Sequence, residues 1–363
     1  MPHPCESSDW KQIFEKYHDI KRIFTIRYMG TKYYSLSHIV PRIISLTRPG
    51  GTVFDLMAGT HSVGYALKKR QRVFSNDIQK YSQVIGAALI ENNDVNISRS
   101  DAERDLKDRF LENMRSMRYN LFYDNYSDTY FSAQQCKVID SIRYAIEDVD
   151  NVYKKSLYLT CLMYAMCYAQ STPGHFAEYL ENTPRIIPLR AIDIWHIFLK
   201  KCNTTKVLFS RYENKVFCED FHEFFYDKKL EDYALATDVF YLDPPYSEAQ
   251  YSRYFHLLET LVLYDYPTIS YKGKYRKDRY KSKFCYRNKA PKEFEWTVDK
   301  VAELGRPLVI SYSGIGLVPI PTLIELAKSR FENVQSLSYR YSYSMQGRGC
   351  LKEKREYLIT CIP

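Results

Sequence analysis

The stretch Thr52-Val53-Phe54-Asp55-Leu56, followed by Ala58-Gly59-Thr60, begins the part of the chain that decides the fold. The first five residues predict a buried strand, and the small residues after it predict a tight turn. Residues 63–69 begin a helix, 72–77 predict a second strand, and a second helix follows from 79 to about 90. This β-α-β-α order predicts an α/β protein with a parallel, doubly wound, Rossmann-like sheet.

Strand patterns return in the last third of the chain. Val216-Phe217-Cys218-Glu219-Asp220 and Val239-Phe240-Tyr241-Leu242 are apolar runs typical of buried strands, and residues 308–312 predict another. Residues 334–343 and 357–362 predict a final antiparallel hairpin. These strands extend the predicted sheet toward the C-terminus.

The middle of the chain has a different, helical pattern. Val138, Ile139, Ile142 and Ile146 fall on one helical face, and residues 157–169 form an apolar helix. We therefore predict a helical insertion at 95–211, which separates residues 1–94 of the sheet domain from its remainder at 212–363.

Composition favours a polyanionic partner. The 363 residues include 52 Lys and Arg against 43 Asp and Glu, a net charge of +9, together with 34 Tyr. Tyrosine can stack on bases and bind phosphate, although compositional bias is an equally open explanation. The basic, tyrosine-rich stretch 264–289 suits a loop that lies along phosphates, with a solvated loop as the alternative.

The nine cysteines include no C-x-x-C pair and no histidines cluster with them, so we expect neither a metal site nor a disulfide framework. Free thiols fit a reducing cytoplasm. Residues 1–21 lack an apolar signal core, and no segment approaches membrane-spanning length. We expect a soluble cytoplasmic protein without a membrane partner.

The first predicted turn suits a nucleoside ligand. Asp55 ends a strand, where a carboxylate can bind a cationic amino group, and Ala58, Gly59 and Thr60 let a ligand approach the backbone amides of the next helix. Asp77 ends the next strand, where it can accept hydrogen bonds from ribose hydroxyls. The complete G-x-G-x-x-G pattern of dinucleotide sites is missing, which disfavours an oxidoreductase.

Asp243-Pro244-Pro245-Tyr246 directly follows a predicted strand. The two prolines make the backbone rigid where the strand ends, so the neighbouring side chains are held at the edge of the sheet. An ordinary proline turn is the structural alternative. The Asp243 carboxylate and Pro244 carbonyl can accept both N–H bonds of a poorly nucleophilic amine, such as the exocyclic amine of adenine, while Pro245 fixes the turn. Tyr246 can stack on the base once it has left the duplex.

These motifs, in this order, resemble the Dam-like (alpha-type) adenine-N6 DNA methyltransferases of restriction–modification systems, over about residues 27–358. The resemblance assigns Tyr28 and Lys32 to the motif that contacts the methionine end of S-adenosylmethionine. It implies that residues 55–64 form the main cofactor loop and that Asp77 binds the ribose. The remaining motifs are Asp220 and Phe221 for the cofactor adenine, and Asp243, Pro244, Pro245 and Tyr246 for catalysis.

Further stretches are similar to a branch of that family. They are Tyr251, Tyr254, His256 and Glu259, then 281–285 and 311–313. One position departs from the family pattern, because His61 stands where glycine is usual. Its side chain can crowd the methionine carboxylate, demand a different backbone angle, or donate a hydrogen bond to that carboxylate.

The resemblance implies an enzyme that transfers the methyl of S-adenosylmethionine to adenine N6 in double-stranded DNA. It implies the modification half of a restriction–modification system, with a cognate endonuclease acting separately. The helical insertion and the stretch 264–289 are expected to recognise the DNA site. Two alternatives stay open, namely an amino-methyltransferase acting on RNA or protein glutamine, and a non-catalytic DNA-binding regulator with the same fold.

Overall fold

The computed structural model describes residues 26, 30–172, 174–180, 184, 186–344 and 351–363, with backbone alone for 341–344 and 351–354. The strands are β1 (Thr52–Asp55), β2 (Arg72–Asn76), β3 (Lys215–Phe217), β4 (Val239–Leu242), β5 (Ile269–Ser270), β6 (Tyr275–Arg276), β7 (Leu308–Ser313), β8 (Asn333–Ser344) and β9 (Leu351–Ile362). Over the described residues, seven of them form one sheet in the order β3-β2-β1-β4-β7-β9-β8, and β5 and β6 form a separate hairpin.

The pairing confirms the predicted topology. Strands β3, β2, β1, β4 and β7 are parallel neighbours, whereas β9 runs antiparallel to both β7 and β8. The strand predicted at 216–220 is shorter than expected and ends at Phe217. Its last residues leave the sheet because Asp220 caps a 3₁₀ turn at Phe221–Phe225, accepting a hydrogen bond from the backbone of His222.

Helices cover both faces of the sheet. They are α1 (Leu36–Leu46), α2 (Ser62–Leu67), α3 (Lys80–Gly86), α4 (Arg99–Ser116), α5 (Leu121–Tyr126), α6 (Ala133–Glu147), α7 (Val152–Ala169), α8 (Ile187–Arg190), α9 (Ile194–Thr204), α10 (Lys228–Leu235), α11 (Tyr251–Tyr254), α12 (His256–Leu263), α13 (Ala290–Glu303) and α14 (Ile320–Lys328). A π-helical turn at Ala87–Glu91 continues α3. Of the helices in the described ranges, none combines the length and apolar character needed to cross a membrane.

Alternating side chains of the strands enter two cores. Val53 and Val73 belong to the cluster on one face, and Phe54 and Phe74 belong to the cluster on the other. Buried residues of the helical stretch, including Ile139, share the first cluster with Val53. The helices between residues 95 and 211 are therefore packed directly on the sheet domain.

The basic stretch 264–289 has more structure than a free loop, because it contains the β5–β6 hairpin. Arg276 is 2% exposed, and its guanidinium lies 2.7 Å from Asp265 and 2.8 Å from Asp278. Tyr271 extends into solvent with 76% of its surface exposed. Arg276 is thus held by carboxylates, and a contact between this stretch and DNA remains a prediction.

Candidate functional site

A cleft opens at the carboxyl ends of β1, β2 and β4. Strand β1 lies between β2 and β4, so the chain order reverses at this edge, which is where open α/β sheets bind ligands. The sequence-predicted residues that line the cleft are Lys32, Asp55, Ala58, Gly59, Thr60, Asp77, Asp220, Phe221, Asp243, Pro244 and Pro245. Tyr28 lies outside the described residues. The strand order thus gathers motifs that are far apart in sequence.

Asp55 is buried at the end of β1 and is 2% exposed. Its Oδ1 atom has no hydrogen-bond partner in the described part of the chain. Burial, and after it the nearby carboxylate of Asp243, raise the Asp55 pKa well above its usual range, while a backbone hydrogen bond from Met57 opposes the rise. A buried acceptor without a partner, on the wall of a cleft, fits a cationic amino group.

The turn after β1 is fixed by Asp77. Its Oδ2 accepts a 2.9 Å hydrogen bond from the Gly59 backbone, and its Oδ1 accepts one of 2.9 Å from the Gln79 backbone. Burial raises the pKa of Asp77 to about 6, and these two backbone N–H groups oppose that rise. Each carboxylate oxygen retains a second lone pair, so the predicted contact with a ribose remains chemically open.

His61 adopts a left-handed backbone, with φ of 58°. Its side chain is fully buried, and its Nε2 lies 2.8 Å from the carbonyl oxygen of Ser82, to which it donates. The ring packs so closely on α3 that a Cβ at Gly86 would lie 2.7 Å from Cε1. Burial lowers the His61 pKa to about 4, so the ring is neutral. The His61 side chain is thus bound to α3. Of the three alternatives for His61, the structure has the different backbone angle.

The far end of the cleft is organised around His222. Its Nδ1 lies 2.5 Å from Asp220 Oδ1, and its Nε2 lies 3.0 Å from Glu293 Oε2. Partial burial alone would lower the His222 pKa, but the hydrogen bonds and charges of Asp220 and Glu293 raise it to about 9. The imidazolium of His222 therefore holds the Asp220 carboxylate in place. The ring of Phe221 packs on the His222 ring, with 4.1 Å between the two ring centroids.

Asp243, directly after β4, lies at the centre of a charged cluster. The Lys32 ammonium is 3.1 Å from its Oδ1, and the Tyr246 hydroxyl donates a 2.6 Å hydrogen bond to the same oxygen. Burial raises the Asp243 pKa to about 7; Lys32 lowers it, and the carboxylate of Glu356 raises it further. Asp243 is therefore a carboxylate that gains and loses its proton near neutral pH.

Lys32 was assigned to the methionine end of the cofactor, but the structure also pairs it with the catalytic motif. Its ammonium contacts the Tyr246 hydroxyl and lies 3.8 Å from Glu356 Oε2. Burial alone would lower the Lys32 pKa, but the charges of Asp243 and Glu356 outweigh it and raise the value. Glu356 was missed from the sequence, because nothing around it in β9 marks a site.

Two contacts of the Tyr246 ring bear on its predicted stacking. The Lys32 ammonium lies over the ring, 4.5 Å from its centroid. The ring of Tyr312 meets it edge to face at 5.2 Å. Stacking of Tyr246 on a base remains a prediction, whereas its hydrogen bond to Asp243 is a role that sequence reasoning did not include.

The residues after the catalytic motif connect the site to its surroundings. Glu259 accepts 3.0 Å hydrogen bonds from the backbones of Lys80 and Tyr81, at the N-terminus of α3. His256 Nε2 lies 2.9 Å from the carbonyl oxygen of Phe176, which lies between α7 and α8 within the helical stretch. Glu259 and His256 thus connect α3 and the helical stretch to α12, a helix that follows the predicted catalytic motif.

Three known proteins are similar to this chain in sequence. The chain is 27% identical to the type II methyltransferase M.FokI of Planomicrobium okeanokoites, over 92% of this chain and 52% of that protein. It is 29% identical to the modification methylase LlaI of Lactococcus lactis subsp. lactis, over 92% of this chain and 54% of that one. It is 26% identical to the type II methyltransferase M.NlaIII of Neisseria lactamica, over 79% and 83%.

The chain therefore spans about half the length of the first two relatives. Residues 28–306 match the family model described as D12 class N6 adenine-specific DNA methyltransferase. That match includes the cleft residues of β1, β2 and β4, and it covers most of the chain. The chain belongs to the family of D12 class N6 adenine-specific DNA methyltransferases.

Proposed function

We propose that this protein transfers the methyl group of S-adenosylmethionine to the N6 amine of an adenine flipped out of duplex DNA. The observation that carries the proposal is that Asp243 and Asp55 lie on the walls of one cleft. Asp243 contacts the adenine amine that accepts the methyl group, and Asp55 contacts the amino group of the cofactor. The wider proposal is the modification half of a restriction–modification system, in keeping with the names of the relatives.

The cofactor end of the cleft has groups that match S-adenosylmethionine, which supplies a methyl group on a positively charged sulfur when bound. Asp55 Oδ1 binds the cationic amino group and Asp77 binds the ribose. Asp220 and Phe221 bind the adenine, with Asp220 oriented by His222. The partnerless oxygen of Asp55 supports this orientation.

Asp243 orients the target amine. Because Lys32 and Tyr246 both bind Oδ1, the second oxygen, Oδ2, is the acceptor for one N–H bond of the base. The carbonyl of Pro244 accepts the other, which directs the nitrogen lone pair into the cleft. Asp243 must be ionised for this, so transfer should increase as pH rises through its pKa of about 7.

A non-catalytic regulator would need a disabled cofactor loop, and His61 is the residue of that loop that departs from the family pattern. Its side chain instead donates to Ser82, so it offers no support for that reading. Recognition of DNA by residues 95–211 and 264–289, a cognate endonuclease and a cytoplasmic location stay predictions.

The proposal is tested by incubating the protein with mixed-sequence duplex DNA and radiolabelled S-adenosylmethionine, then mapping the modified bases. RNA and a glutamine-containing protein serve as competing substrates. We expect N6-methyladenine in DNA at one short sequence. Label that enters only RNA or protein, or no label with any substrate, would contradict the proposal.

A further inference from the structure

The Lys32 ammonium has carboxylates on two sides. Asp243 Oδ1 lies 3.1 Å from it and Glu356 Oε2 lies 3.8 Å from it. Lys32 is 7% exposed and Glu356 is 5% exposed. Glu356 reaches this position because β9 pairs with β7, with Glu356 opposite Ser313. The C-terminal hairpin thus delivers a charged side chain to the catalytic cluster.

Glu356 is costly to bury at this point. Its Oε2 accepts no hydrogen bond from the described residues, so the charge at this oxygen is compensated by the longer ion pair with Lys32. An anion that is only partly compensated destabilises a fold relative to an apolar side chain of similar size. With all three groups ionised, Lys32 balances one of the two carboxylates and leaves an excess negative charge.

We infer that Glu356 is a positioning residue for methyl transfer, which holds Lys32 on Asp243 Oδ1 and adds the negative charge that the reacting amine requires. This inference rests on the proposed function. The amine nitrogen forms a bond to the methyl carbon as the carbon–sulfur bond breaks, so positive charge moves from sulfur to nitrogen. The nitrogen then loses one proton to water. Negative charge beside the nitrogen stabilises that developing charge.

The pH dependence of this cluster involves groups from each neighbouring element. Those facing the Lys32–Asp243 pair are Asp55 after β1, Tyr241 in β4, Tyr246 and Tyr251 after β4, Tyr339 in β8 and Glu356 in β9. Within this set Glu356 raises the Asp243 pKa, whereas Lys32 lowers it. Neutralising Glu356 should therefore lower the Asp243 pKa.

The test compares Glu356→Gln with wild type and with Glu332→Gln, which removes an exposed carboxylate next to β8. Methyl incorporation into mixed-sequence duplex DNA is measured from pH 5.5 to 9 at saturating cofactor, and cofactor affinity by calorimetry. We expect Glu356→Gln to reduce kcat by about tenfold, move the acid limb of the rate profile to lower pH, and leave cofactor affinity within about twofold. Glu332→Gln should match wild type throughout.

A Glu356→Gln profile that superimposes on wild type in both rate and pH would overturn the inference. Glu356→Asp provides a second variant, since it keeps the charge but withdraws the carboxylate by one methylene. It should retain the wild-type acid limb while kcat falls; a wild-type kcat would also overturn the inference, even if Glu356→Gln fails to fold. Wild-type protein that methylates no DNA would instead contradict the proposed function.

Discussion

The hydroxyl of Tyr246 donates a 2.6 Å hydrogen bond to Oδ1 of Asp243, so the last residue of the proposed catalytic motif orients the first. The bond joins side chains three residues apart, across a turn that Pro244 and Pro245 stiffen. Because this bond engages Oδ1, Oδ2 of Asp243 is the oxygen that we propose for the substrate amine. Tyr246 therefore has a role that does not depend on stacking.

Tyr246→Phe separates the hydroxyl from the ring. A hydrogen bond to a charged group contributes about 1.5–3 kcal/mol, so we expect kcat to fall by about 10- to 100-fold with little change in the KM for DNA. Single-turnover methyl incorporation measures the effect. Tyr246→Ala, which also removes the ring, should be less active still, and a fully active Tyr246→Phe would show that the ring alone matters.

Asp55→Asn should weaken cofactor binding and leave the fold at least as stable. Removing a buried charge from an ion pair with the cofactor amine costs about 2 kcal/mol or more, a loss of about 30-fold or more in affinity. The Asp55 pKa is raised in the folded state, so its ionisation costs stability as pH rises above its unfolded value. Calorimetry with S-adenosylmethionine and thermal unfolding at pH 8 measure the two effects.

We predict that Asp55→Asn lowers cofactor affinity without lowering Tm. If the variant lost cofactor affinity and its Tm also fell by several degrees, Asp55 would be a structural residue and the prediction would be wrong. Asp238→Asn is not a suitable control, since Asp238 accepts a hydrogen bond from the Thr52 backbone. Asp94→Asn, at an exposed position beyond α3, is a better control and should change neither property.

His222→Gln should alter how stability depends on pH. The folded pKa of His222 is raised to about 9, so its contribution is complete below the unfolded pKa and is lost as pH rises through 9. Wild type should therefore lose stability between about pH 6.5 and 9 through this group, and the variant should lack that part of the slope. Thermal unfolding across pH 6–10 measures it.

The matched control is His196→Gln, because His196 is an exposed histidine in α9. Its stability profile should parallel wild type. We also expect His222→Gln to weaken cofactor affinity, since Asp220 loses the partner that orients it. Parallel profiles for all three proteins would show that the contacts of His222 with Asp220 and Glu293 contribute nothing measurable.

Glu259→Gln should act through stability, although Glu259 belongs to a sequence motif near the catalytic residues. It accepts from the backbones of Lys80 and Tyr81 and so caps α3. Loss of a cap costs about 1 kcal/mol, and we expect a lower Tm with kcat retained at temperatures where the protein is folded. Glu295→Gln, at an exposed position of α13, is the control. A large fall in kcat at unchanged Tm would place Glu259 in the chemistry.

The sequence could predict the cleft residues that end strands. Asp55 and Asp243 follow apolar runs, and parallel strands place their carboxyl ends at one edge. It could not predict Glu356, because the pairing of β9 with β7 depends on a register between distant segments. The side-chain direction of His61 was equally inaccessible, since it depends on space beside Gly86. Local pattern locates strand ends, whereas long-range packing decides which side chains meet there.

The same distinction explains the basic stretch near Arg276. Its composition predicts solvent or phosphate contact, yet the guanidinium is buried between Asp265 and Asp278. A charged side chain can be buried when carboxylates of its own chain surround it, and composition alone does not reveal that pairing.

The most direct test of the central claim is methyl incorporation by Asp243→Ala, compared with wild type on the same mixed-sequence duplex DNA. The variant's fold is checked by thermal unfolding and its cofactor affinity by calorimetry. We predict that wild type produces N6-methyladenine at one short sequence, and that the folded variant binds the cofactor but transfers no methyl group. Transfer at the wild-type rate by Asp243→Ala would contradict the account.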